Sequence, residues 1–130
     1  MNIEYDGCMH RGLIWGCLFA ITSIGLGALL THVLNGNLTS RELEILDVAA
    51  TYLFYMAMPL LILFVSHAHW QWPNRMYNLF ILSGGLFSGS LILFVFTNMY
   101  WLVWVTPVGG VLMMLSWGYL LVYGTQKVRS

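Results

Sequence analysis

Few residues in this chain are of a type that does chemistry, and they are thinly spread. His67 and His69 stand two apart, and with four membrane crossings His10 falls on their side, so a three-histidine metal clip is the first candidate. Zinc takes three or four ligands, commonly with Cys or a carboxylate among them. Neither stands near this pair, and the pattern points to ordinary histidines of an interfacial loop. A membrane haem would need facing histidines on two spans. Only His32 lies near one, at the end of the first, without an intramembrane partner. Cys8 and Cys17 are nine apart with no CxxC spacing, and Cys17 falls in an apolar run as a small filler. Met56, Met58 and Met113-Met114 read as apolar packing rather than a copper tract. Asn37-Leu38-Thr39 matches a glycosylation acceptor, which has meaning only in a eukaryotic secretory route.

Ten residues carry formal charge, 8% of the chain against the roughly 25% usual in soluble domains, and 59% are hydrophobic. The charges cluster, leaving charge-free runs at 12–40, 48–74 and 76–126. A helical crossing takes about 20 apolar residues, so the first two runs hold one each and the third holds two. A soluble globule of this size has no interior large enough to hide so much apolar surface. Net charge is zero with no basic stripe, which leaves nucleic acid no electrostatic footprint. The first run follows a mixed-charge start (Glu4, Asp6, Arg11) and is long enough to span, so it reads as a retained helix rather than a signal peptide.

The spans fall at about 13–34, 48–65, 76–97 and 102–123. Asn35-Gly36-Asn37 offers a left-handed cap to the first. Thr39 with Glu42 forms a capping-box pattern that starts the second helix near Ser40. Residues 66–75 read as an interfacial loop, and the long third run must turn at 97–101. Trp70, Trp72 and Tyr77 at one level, with Tyr100, Trp101 and Trp104 at the other, form the expected aromatic belts. Both termini and the middle loop collect Arg11, Arg75, Lys127 and Arg129 against Arg41 alone opposite, a bias that in a bacterial inner membrane places the termini in the cytoplasm.

Charges inside a span are costly and mark ion paths or proton relays. None of the ten lies inside one; Asp47 comes nearest, and a proton-coupled exporter resembling the small multidrug-resistance proteins would need an embedded carboxylate. What the spans do hold is small residues at helical spacing, the usual means by which lipid-immersed helices pack. Gly85 and Gly89 form a GxxxG pair beside Gly84, Ser88 and Ser90, and span one has Gly16 with Ala20 and Ser23 with Gly27. Span four opens Thr106-Pro107-Val108-Gly109-Gly110, where Pro107 removes a helical hydrogen bond and should kink the chain. The other use of Ser88, Ser90 and Thr106 is a polar path, although span hydroxyls usually bond to the backbone one turn earlier.

Three patches carry a family resemblance: Leu26 to Leu34 with its histidine at His32, Leu86-Phe87-Ser88-Gly89-Ser90-Leu91, and Thr106-Pro107-Val108-Gly109-Gly110. In order and spacing they resemble the YgdD-like small inner-membrane proteins, a domain-of-unknown-function family, over about residues 12–124. The chain departs from them at two places: Leu29-Leu30-Thr31 replaces Phe-Gly-Ala, and Met56 stands where the family often has a histidine. The resemblance implies a four-span bundle and no particular activity.

The expectation is therefore a single all-α domain, a polytopic four-transmembrane-helix bundle whose partners are the lipid bilayer and other integral membrane proteins or further copies of itself. It is expected to be non-enzymatic, without cofactor or metal, an accessory subunit that offers helix faces to larger partners. The alternative is a carrier or channel for a small neutral solute centred on His32, Ser88, Ser90, Thr106 and the span-four kink at Pro107.

Overall fold

The computed structural model describes residues 3–129, with side chains from His10 onward. Four helices make up the architecture: α1 (Ile3–His32), α2 (Ser40–Trp70), α3 (Asn74–Thr97) and α4 (Leu102–Arg129). Each is long and apolar enough to cross a membrane. At 1.5 Å per residue even α3, with 24 residues, exceeds the roughly 30 Å hydrocarbon core. The protein is an all-α, multi-pass membrane protein.

Local chemistry explains where the helices start and stop. The Thr39 hydroxyl accepts from the Glu42 amide at 3.2 Å while the Glu42 carboxylate accepts from the Thr39 amide at 3.0 Å, the expected capping box at the head of α2. The left-handed cap expected at 35–37 is absent. Leu34–Gly36 instead forms a short 3-10 helix, and Asn37 keeps a φ of −114°. Left-handed caps occur at Gln71 (φ 51°) and Asn98 (φ 56°), which end α2 and α3. The loop expected at 66–75 is also corrected: α2 continues to Trp70, and only 71–73 link it to α3. Apolar residues run out near Val65, but nothing in Ser66 to Trp70 breaks a helix; Pro73 does, by disfavouring helix in the residue before it.

The helices pack α1 on α2, α2 on α3 and α3 on α4. Arg11 donates to the Asn78 side-chain oxygen, and the Trp72 and Tyr123 rings meet at 5.7 Å. These contacts bring the start of α1, the 71–73 link and the end of α4 to one end of the bundle, hereafter the terminal end. The larger core cluster, with Phe19, Met56, Leu60, Tyr77, Phe80 and Met113, spans all four helices. A second, with Leu26, Leu46, Ala49, Ala50 and Val95, lies toward the opposite end.

Candidate functional site

Hydroxyls stitch the helices together. Ser23 Oγ donates to the Ala50 carbonyl at 2.7 Å, tying α1 to α2, and Ser88 Oγ donates to the Ala49 carbonyl at 2.9 Å, tying α3 to α2. Ser90 and Thr106 share a hydroxyl–hydroxyl bond of 2.7 Å between α3 and α4, each also within reach of a carbonyl on its own helix. Ser83 meets Ser116 at 3.4 Å and points toward the Met56 sulfur at 3.7 Å. No buried side-chain nitrogen or oxygen among the described residues lacks a partner. Interhelical bonds thus replace the same-helix bonding expected for span hydroxyls at Ser23 and Ser88, while Ser83, Ser90, Thr106 and Ser116 keep a bond to a carbonyl of their own helix.

Close approach is selective. A Cβ on Gly109 would lie 2.6 Å from the Phe87 amide nitrogen, so α3 and α4 touch there backbone to backbone. Gly84 packs against Phe19 and Met56, while Gly110 sits in ordinary contact with the Phe87 ring. Gly85 and Gly89 meet nothing within 4 Å: the seam expected at this pair is not an intrachain one. They floor a shallow groove of about 310 Å³ walled by Leu93, Trp101 and Leu102. The physical reason is helical phase. Gly84 and Ser88 occupy one row facing α1 and α2, and Gly85 and Gly89 lie about 100° further round.

The histidines are placed differently from expectation. His67 is buried within α2 rather than in a loop, with Nδ1 2.9 Å from the Tyr77 hydroxyl. Tyr77 donates its single proton to the Leu63 carbonyl at 3.0 Å, so the bond from His67 requires its proton on Nδ1. His69 is exposed two residues on, His10 is exposed on α1, and His32 is exposed in the last turn of α1, away from Ser88, Ser90 and Thr106. Cys8 lies outside the residues with described side chains; Cys17 is exposed. Among the described residues no group of three or more His, Cys, Asp or Glu is placed to hold a metal.

One large feature was not visible in the motifs. Between α2 and α4 the fold leaves an open groove of about 910 Å³, walled by Tyr52, Tyr55 and Met58 on one side and Pro107, Met114 and Trp117 on the other. Phe87, Met56 and Met113 line it more deeply, and its surface is almost wholly apolar. Pro59, buried in α2, lacks the amide that would donate to the Tyr55 carbonyl at the groove wall, and Pro107 likewise frees the Val103 carbonyl in α4. Helical periodicity shows each helix an apolar face but not which faces stay apart, so only the tertiary arrangement reveals the groove.

A family described as protein of unknown function, DUF423, matches residues 26–110, a stretch that begins at the Leu26 patch and ends at Gly110. The chain belongs to the DUF423 family. This DUF423 chain is similar to proteins named UPF0382 membrane protein in staphylococci. It is 33% identical to one from Staphylococcus aureus, over 88% of this chain and 94% of the relative. The figures are 31% for one from Staphylococcus saprophyticus, over 89% and 97%, and 32% for one from Staphylococcus epidermidis, over 88% and 94%. No solved structure matches it. The family's description and these relatives' names state no activity.

Proposed function

We propose that this DUF423 protein, of the YgdD-like kind, is a non-enzymatic accessory subunit of the bacterial inner (plasma) membrane, termini in the cytoplasm, that receives a transmembrane helix of a larger partner between α2 and α4. The observation that carries this reading is the groove. Its two walls run parallel, since α2 and α4 both lead toward the terminal end, so the slot lies along the direction in which a crossing helix runs. Four of the chain's eight methionines line it, and flexible thioethers mould to irregular apolar partners. Gly110 in the wall permits close approach, which is what helix association in lipid depends on. On α4 only Leu102, Gly109, Met113 and Ser116 are buried, so most of that helix is still available for contact.

The carrier reading has less support, because the hydroxyls of Ser88, Ser90 and Thr106 are engaged in bonds that hold helices together. Affinity purification in mild detergent, comparing wild type with Gly110→Trp and Met114→Trp, separates the two. The subunit reading expects co-purifying membrane proteins that disappear when the groove is filled while helix content persists. A protein that stays monomeric without partners in every condition, yet moves a neutral solute in proteoliposomes, would sink it.

A further inference from the structure

The two ends of the bundle differ in charge and in how their aromatic residues are held. The end bearing the 33–39 link carries Arg41 with Glu42, Glu44 and Asp47, a net of −2, and its Tyr100, Trp101 and Trp104 are strongly exposed. The terminal end carries Arg11, Arg75, Lys127 and Arg129 against Glu4 and Asp6, a net of +2. Both acids precede Arg11 on α1, in the part whose side chains lie outside the described residues.

At the terminal end the aromatics are packed and fixed. The Trp72 indole N–H donates to Ser66 Oγ at 2.7 Å, and Trp70 stacks parallel on Trp72 at 5.3 Å. Tyr123 of α4 meets Trp72 at 5.7 Å, and the Lys127 ammonium stands 5.8 Å from the Tyr123 ring centroid. Arg75 is exposed one turn of chain beyond Trp72. Lys127 of α4 therefore stands against this aromatic cluster and Arg75 of α3 is exposed at the same end, at the headgroup depth that amphipathic rings prefer.

We propose that this cluster, with Arg75 and Lys127, is a docking surface for the headgroup of an anionic phospholipid. A basic surface at the ends of spanning helices suits an anionic headgroup, and the aromatic rings give the glycerol and upper acyl region an apolar seat. Charge complementarity selects the terminal end, since the opposite end repels the same headgroup.

The test uses full-length protein reconstituted in phosphatidylcholine bilayers with phosphatidylglycerol as the minor lipid, then extracted gently, with the ratio of the two retained lipids read by mass spectrometry. Wild type is expected to retain phosphatidylglycerol above its bulk proportion. Arg75→Gln and Lys127→Gln should each lower that enrichment by about fivefold, the value of one surface cation near an anionic membrane. The charge-preserving Arg75→Lys and Lys127→Arg should keep it, as should Arg41→Gln at the other end. Retention at the bulk ratio by wild type, or equal loss in Arg41→Gln, overturns the proposal. Displacement of the lipid by excess inorganic phosphate also overturns it, by showing a phosphate site and not a lipid surface.

Discussion

A Cβ on Gly109 would stand 2.6 Å from a backbone atom of α3, where no rotamer change relieves the clash, so one added methyl must push the helices apart. Gly109→Ala is expected to cost about 1–3 kcal/mol, the range for overfilled packing. Gly85→Ala, which meets nothing within 4 Å, should stay within about 0.5 kcal/mol of wild type. Thermal unfolding in detergent followed by circular dichroism compares them, and equal losses would mean the α3–α4 seam lies elsewhere. A second test concerns Tyr77, whose hydroxyl both donates to Leu63 and accepts from His67. Tyr77→Phe leaves the buried His67 Nδ1–H and the Leu63 carbonyl without that partner, so a loss of about 1–3 kcal/mol is expected. If the histidine is the group left stranded, adding His67→Phe to that variant should restore part of the loss.

Among the elements, α2 has the most explicit start signal and the least explicit stop. Thr39→Ala removes the acceptor for the Glu42 amide and should cost about 1 kcal/mol. Hydrogen exchange should show it as faster exchange confined to the first turn of α2; unchanged exchange there would mean the membrane interface, not the cap, holds that turn. The cap and the turn at 97–101 were legible from sequence because both depend on neighbours a few residues apart. The end of α2 was not, because its stop is Gln71 in a left-handed conformation, a residue type with no particular claim on that geometry. Small residues announced that α3 packs closely but not along which row, since adjacent rows at 84–88 and 85–89 look alike in sequence and only one faces α1 and α2. The groove was hidden for a related reason. Pro107 and Gly110 were singled out, but Tyr52, Tyr55 and Trp117 become a wall only once α3 holds α2 and α4 apart.

For the whole molecule, an even number of crossings and an uneven spread of cations act together. Arg11–Asn78 and Trp72–Tyr123 contacts hold the start of α1 and the end of α4 at one end, so reporters fused before Met1 and after Ser130 should report the same compartment, and a tag at 35–37 the other. Which compartment depends on Lys and Arg alone: four at the terminal end, one opposite, while Glu42, Glu44 and Asp47 contribute little to orientation. The proposed cytoplasmic termini therefore lead to a quantitative expectation. Lys127→Gln and Arg129→Gln leave two cations at the terminal end, and Asn35→Lys with Asn37→Lys raises the opposite end to three. None of these four positions lies in the buried core, so the packed bundle should survive in either orientation. A C-terminal alkaline phosphatase fusion, inactive on the wild type, should become active on the four-fold variant in a substantial share of molecules. An orientation unmoved by that reversal would mean that something other than the cation bias, such as an assembled partner, sets which way the bundle inserts.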